Sequence, residues 1–295
     1  MSGLVFDFHV HPLPTLEENA LLRELDKAGV GRCVLLAMDV DPQDLDRSIG
    51  RFVDFGVWDL RALDGARELL RLARTPNERV AELVKAHPNR FVGFGSVNPS
   101  RSRGEVQARL EQIKRLRLRG IKLIPTLQMF SPKREAKKLA DIFEFCRSEG
   151  FIILYHTGCD PGPWEIPCLS EDANPAHLEF MLRRFRDVPV VLAHMGSYSA
   201  RHPGIWLEEA LKLGRRYGNV WFDIAAVTYL VNEGRYLEEI RRAVGLDRVL
   251  FGSDYPAVQG SSISDAVDDV LNSPLLTWEE KAGILHLNAE RLLGG

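Results

Sequence analysis

The chain has no apolar run approaching the ~20 residues that a bilayer crossing needs, so no transmembrane helix is expected. Its N-terminus, MSGLVFDF, has neither a basic start nor a long apolar stretch, which argues against a secretory signal and for a cytoplasmic protein. Four cysteines, Cys33, Cys146, Cys159 and Cys168, are too sparse in 295 residues for a disulfide scaffold. Cys33 and Cys146 sit in apolar segments and read as buried thiols, while Cys159 and Cys168 share a Pro/Gly-rich loop and read as loop packing. An excess of charge of one sign is also lacking. A net charge of -3, with acids and bases interspersed, removes the electrostatic footprint for nucleic acid or an anionic membrane. A small-molecule substrate is the partner that remains, with homo-oligomerisation open.

What is present is the composition of a soluble core: 45% hydrophobic and 27% charged residues. Short apolar or β-branched runs recur at Leu4–Phe8, Arg32–Ala37, Phe91–Val97, Ile121–Ile124, Phe151–Tyr155, Val190–Ala193, Val220–Ile224 and Val249–Phe251. Between them lie amphipathic stretches. Val106, Leu110, Ile113 and Leu116 share one helical face, as do Ala136, Leu139, Ala140 and Phe143. Thr15 with Glu18, and Thr277 with Glu280, have capping-box spacing, and Gly29, Gly120 and Gly150 fall where helices should end. Most strand centres are about 30 residues apart, the length of one βαβ unit. The expected fold is therefore α/β: a single (β/α)8 TIM barrel spanning residues 1–295. An open doubly wound sheet is the rival, but the Gly-rich dinucleotide fingerprint is missing after the first strand. The spacing doubles between strands 2 and 3, so Asp39 to Asp64 is read as an insertion, either a lid or an interface.

In Phe6-Asp7-Phe8-His9-Val10-His11 the two histidines are two apart, so on a strand they share one side at the C-terminal mouth of the barrel. His156 follows the fifth strand, His194 ends the sixth, and Asp254 follows the eighth. Taken singly, each histidine reads as a strand-end residue bonded to backbone. Together, His9, His11, His156 and Asp254 make an N/O set suited to a divalent metal, zinc before others, with a position left for water. One ion per chain is expected in preference to two.

The motifs FDFHVHP, GIKLIP, ILYHTG, LAHMG, LFGSDYP and NAERLL, in this order across nearly the whole chain, resemble the amidohydrolase superfamily. The resemblance is strongest to its amidohydrolase-2 branch, which includes aminocarboxymuconate semialdehyde decarboxylase. It implies that His9, His11, His156 and Asp254 bind one zinc and that His194 orients or protonates substrate. The chain departs from similar hydrolases at Ile124, where a histidine often follows Lys-Leu, and at His286-Leu287, where tyrosine or glycine is commoner.

A divalent ion lowers the pKa of its water to about 7, which would make Asp254 a proton carrier and His194 a hydrogen-bond donor to a developing oxyanion. The expected reaction is hydrolysis of a C–N or C–O bond in a small cyclic amide, lactone or ester. The GIKLIP and LQMFSP segments favour it; decarboxylation of a small aromatic or enoic acid is the alternative. A non-enzymatic anion-binding barrel is disfavoured, because Asp254 directly follows Gly252-Ser253 and would repel an anion. Asp7 is a candidate hydrogen-bond partner of His9 or a plain buried residue of the barrel floor. Lys122, on strand 4, faces inward and needs a partner: carboxylation bridging two metals, a carboxylate, or substrate. An uncarboxylated Lys122 at the pocket wall, contacting substrate or a carboxylate, is expected. The loops Leu127–Pro132, Cys159–Asn174, Tyr198–Trp206 and Tyr255–Ser262 should form the pocket, with Trp164, Tyr198, Arg201 and Tyr229 as candidate substrate contacts. His87, His177, His202 and His286 read as surface or packing residues.

Overall fold

Eight parallel strands pair in sequence order: β1 (Val5–Val10), β2 (Val30–Leu36), β3 (Phe91–Ser96), β4 (Gly120–Leu123), β5 (Ile152–Gly158), β6 (Val190–Tyr198), β7 (Val220–Asp223) and β8 (Val249–Leu250). The computed structural model describes residues 5–48, 60–160, 162–258 and 260–294. The last strand returns to the first through Phe8 N donating to Phe251 O (2.9 Å), Asp254 N to His9 O (2.9 Å) and His11 N to Tyr255 O (2.8 Å). These bonds close the expected TIM barrel and leave no sheet edge.

The strands are buried on both faces, which is why they read as continuous apolar runs. Phe6, Phe8, Val34, Phe94, Leu154 and Val191 fill the barrel interior, plugged at its base by Ala289 and Leu293. A larger outer cluster joins the strands to helices α1 (Glu18–Lys27), α2 (Pro42–Ser48), α3 (Leu60–Ala73), α4 (Asn77–Ala86), α5 (Arg103–Arg115), α6 (Ala136–Glu149), α7 (Glu179–Arg184), α8 (Leu207–Arg216), α9 (Gly234–Val244) and α10 (Ile263–Leu271). Val106, Leu110 and Ile113 are buried as their spacing predicts, and so are Leu139 and Phe143. Cys33, Cys146 and Cys159 are buried free thiols and Cys168 is exposed.

Three local expectations are corrected. The box Thr277–Glu280 forms, but α1 starts at Glu18 behind Glu17, so Thr15 lies too early to cap it. Gly120 ends no helix. It lies in β4, where a Cβ would come within 2.7 Å of the Phe94 ring and of Ile152 O, so only glycine fits between its neighbours. Along β1, Phe6 and Phe8 face the interior while Val5 and Val10 belong to the outer cluster. The alternation therefore slips by one where the β1–β2 register is irregular, between Asp7 and Val10. His9 follows Phe8 inward, and Asp7 is not on its face.

The insertion between β2 and β3 is pinned at its base by Met38 N donating to Thr75 O (2.9 Å) and Thr75 N to Met38 O (3.1 Å). Its central part, 49–59, lies outside the described residues. Asp44 on α2 accepts from Asn98 Nδ2 (2.9 Å) and Arg101 (3.2 Å), fastening the segment to the end of β3. Met38, Val40, Leu45, Ala66, Leu70, Ile124, Leu127 and Trp164 then form a separate apolar cluster above the barrel mouth. No helix among the described residues is long and apolar enough to cross a membrane.

Candidate metal centre

Four imidazoles meet at the mouth. His9 and His11 rings are 5.1 Å apart, His9 and His194 4.9 Å, and His156 and His194 4.8 Å. All four residues are at most 4% exposed. His194 and Asp254 both hold left-handed backbones, at φ 60° and 57°, which cost free energy in non-glycine residues and persist only where the surroundings impose them. Asp254 Oδ1 lies 3.2 Å from His11 Nε2 and 3.4 Å from His9 Nε2. Ligand atoms of His9, His11 and Asp254 fall within 4.8 Å of one another, as do those of His9, His194 and Asp223. His156 stands beside this group and does not join either set at that distance.

The second set is already committed. Asp223 Oδ2 bonds His9 Nδ1 at 2.9 Å, and Asp223 Oδ1 accepts from His194 N (2.8 Å) and Ala225 N (3.1 Å). A carboxylate on Nδ1 places the proton there and leaves the Nε2 lone pair aimed at the centre. His194 is fixed in the same way: a backbone carbonyl only accepts, so Nδ1 donates to Ala225 O (2.8 Å) and the neutral ring keeps its lone pair on Nε2. His11 Nδ1 and His156 Nε2 are buried without a hydrogen-bond partner among the described residues. Buried orphaned imidazole nitrogens next to carboxylates fit a divalent ion.

Burial dominates the electrostatics. It lowers His9 and His156 well below the usual imidazole range and brings His194 down to about 4, so the rings are neutral and able to ligate. Burial also works to raise Asp254, but the hydrogen bond from His11 and the electrostatic pull of the imidazoles around it outweigh it and hold the carboxyl well below its ordinary value. Asp7 accepts from the backbone amides of His9 and Ser253, both at 3.0 Å, so its expected bond to His9 is to the main chain and not to the ring. Burial raises it to about 7.

Lys122 is fully buried, and its Nζ stands 3.1 Å from His9 Nε2. No carboxylate lies within ion-pair distance of it among the described residues; of the two contacts expected, substrate or a carboxylate, the chain itself does not supply the second, and an imidazole stands there instead. Burial brings its ammonium down to about 8.

Two residues of the site escaped the reading of the sequence. Asp223 had one signal, an acid inside the apolar strand Val220–Ile224. Asp160 had none beyond its loop; its Oδ2 accepts from Thr126 Oγ1 and lies 3.2 Å from His156 Nε2, and burial raises it to about 7.

A cavity of about 520 Å3 opens on this cluster. All four expected loops reach it, through Leu127, Asp160, Tyr198 and Pro256. Of the four expected contacts only Tyr198 lines it, stacked on His194 at 4.3 Å. Trp164 is buried in the apolar cap, Arg201 is exposed on a loop, and the Tyr229 hydroxyl is spent on Ser197 O and Gly204 N. Helix α3, which begins at the end of the insertion, supplies the wall that the loops do not, through Gly65, Glu68, Leu69, Leu72 and Ala73.

Over 274 residues the chain is 23% identical to 2-amino-3-carboxymuconate-6-semialdehyde decarboxylase of Dictyostelium discoideum, covering 82% of this chain and 70% of that protein. Its fold is similar to a dihydroxybenzoic acid decarboxylase of a Polaromonas species, solved with bound manganese and 2-nitroresorcinol. That likeness has a TM-score of 0.64 at 15% identity, covering 99% of this chain and 97% of that one. A probable 2-pyrone-4,6-dicarboxylic acid hydrolase of Acinetobacter baumannii, solved with citric acid, is equally similar in fold, with a TM-score of 0.64 at 15% identity over 100% of both chains. A family model for amidohydrolases matches residues 6–295, from the first strand to the last residue. With a closed barrel and imidazoles and carboxylates gathered at its mouth, the chain belongs to the amidohydrolase family.

Proposed function

We propose that the protein is a metal-dependent decarboxylase of a small aromatic or enoic acid, with one divalent ion, zinc in the first instance, held by His9, His11, His156 and Asp254. The observation that carries this reading is Lys122: a fully buried ammonium at the cavity floor with no carboxylate of the chain in ion-pair range among the described residues. Burying an unpaired charge is costly, and the carboxylate of an acid substrate is its complement. The Dictyostelium relative named as a decarboxylase supports the same choice.

Hydrolysis, the first expectation, loses its sequence support at the same place. Gln128 of LQMFSP is occupied with Ile124 N (2.8 Å), Val97 O (3.0 Å) and Ser96 Oγ (3.1 Å), and Ile124 and Leu127 are apolar lining. Neither segment offers a group specific to hydrolysis.

A divalent ion held here supplies positive charge that polarises a substrate oxygen and stabilises the charge that develops as carbon dioxide leaves. Lys122 holds the substrate carboxylate at the floor. The C–C bond to that carboxylate breaks, its electron pair stays on the substrate carbon, and one proton must arrive there. His194 is placed to deliver it: Nδ1 is anchored on Ala225 O, Nε2 faces the centre, and Tyr198 stacks on the ring. At rest its Nε2 carries no proton, so the ring first takes one from solvent at Nε2 and passes that proton to the carbon; an imidazole lowered to about 4 is a strong acid in this protonated form. Met38, Ile124 and Leu127 line the cavity and limit water.

The test is a panel of carboxyl-labelled aromatic and enoic acids with zinc- or manganese-loaded protein in deuterated and in 18O water. Labelled carbon dioxide with one solvent deuteron in the product is the expected result. A product that keeps its carboxyl label and gains solvent 18O would establish hydrolysis instead.

A further inference from the structure

The cavity has two unlike halves. Its floor carries the imidazoles, Lys122 and Asp254, while Leu13, Met38, Leu69, Leu72, Ile124 and Leu127 line it further out. Leu69 and Leu72 come from α3, which follows the insertion and lies between β2 and β3. Leu72 is 40% exposed, and the surface it exposes borders this cavity. Uncovered apolar surface inside a cavity is free energy left for a ligand to gain. The same helix face carries Glu68, one turn before Leu72, its carboxylate held by Arg71 at 2.8 and 2.6 Å. The wall is already in place: Arg67 of α3 bonds Asp46 beyond α2's first turn at 3.0 and 2.9 Å, and the Met38–Thr75 bridge ties the helix to the barrel.

We infer that α3 sets the substrate class: the enzyme takes a monocarboxylic acid whose body, remote from the carboxylate, is apolar, and its leucines disfavour acids with a second carboxylate at that end. This rests on the proposed function only in placing the first carboxylate at Lys122 and the metal. Leu69 and Leu72 contribute contact area that grows with the substrate's apolar length. Glu68 adds no net charge there, because Arg71 matches it; a second carboxylate would instead give up its water against the leucines, which disfavours it and leaves a neutral apolar group unaffected.

The experiment is titration calorimetry of zinc-loaded protein with benzoate, 4-propylbenzoate and terephthalate, which reads binding without turnover. Each methylene that the wall covers should tighten binding by about fourfold, so 4-propylbenzoate should bind at least about tenfold tighter than benzoate. Terephthalate should bind more weakly than benzoate. In Leu72→Asp, a substitution at a half-exposed position that the fold tolerates, benzoate should bind within about threefold of the parent while the gain from the propyl group disappears. A propyl group that adds nothing in the parent, or whose gain survives in Leu72→Asp, overturns the inference while leaving the proposed decarboxylase intact. Terephthalate binding as tightly as benzoate in the parent also overturns it, because a second carboxylate would then meet no apolar wall. If zinc binds and none of the three acids does, the carboxylate site at Lys122 is itself wrong, and both readings fall.

Discussion

Replacing Asp223 by asparagine separates two tasks that one carboxylate performs. Oδ1 accepts from the His194 and Ala225 amides, and Oδ2 holds the His9 ring through Nδ1. Asparagine keeps an amide oxygen for the backbone donors but puts a neutral NH2 against His9, which favours the opposite tautomer and turns a proton toward the metal position. Loss of such a partner typically weakens metal binding or activity by about 10–100-fold, or about 1.4–2.7 kcal/mol. Stability should change little, because the buried amides stay satisfied. Asp223→Ala is the contrast. It strands both amides and the His9 Nδ1–H, each at about 1–3 kcal/mol, so it should lower stability far more than asparagine does. Zinc affinity by competition with a chromophoric chelator, and stability by urea unfolding of the metal-free proteins, read the two effects apart. Unchanged zinc affinity in Asp223→Asn, or equal stability of the two variants, would refute the reasoning.

The double variant His9→Ala/His11→Ala should fold, since the apolar barrel core lies below the site, but purify without stoichiometric metal by elemental analysis; a full equivalent of metal would remove both residues from the ligand set. Lys122 is held at about 8 against an ordinary 10.5, so between these values the unfolded chain takes up a proton that the folded chain does not. Stability of the metal-free protein should therefore rise with pH across that window, and Lys122→Met should abolish this component of the rise in urea unfolding at matched pH values. Phe94, fully buried in the barrel interior and edge-on to Phe8 at 5.8 Å, should cost about 3–5 kcal/mol on truncation to alanine, read as a lower urea midpoint with an unchanged slope.

The architecture was legible in the sequence because the signals that carry it are local. Apolar runs about 30 residues apart mark the strands, helical faces such as Val106–Leu110–Ile113 repeat every turn, and a barrel with these strands in order places His9, His11, His156, His194 and Asp254 at one mouth. What joins them was not legible. Asp223 meets His9 across 214 residues, and Lys122 meets the same ring across 113; both contacts depend on register and strand tilt, which neighbouring residues do not encode. The slip in β1 that turns His9 inward after Phe8 is set by pairing with β2 and is invisible to strict alternation. The insertion could be seen as an interruption of the rhythm, but the place of α3 at its end as the apolar wall of the cavity follows only from Asp44 docking on Asn98 and Arg101 and from the Met38–Thr75 bridge. Residue types and their period along the chain determined which groups reach the mouth. Which proton each imidazole carries, what Lys122 faces and what walls the cavity were decided by tertiary contacts, because each depends on distances between segments far apart in the chain.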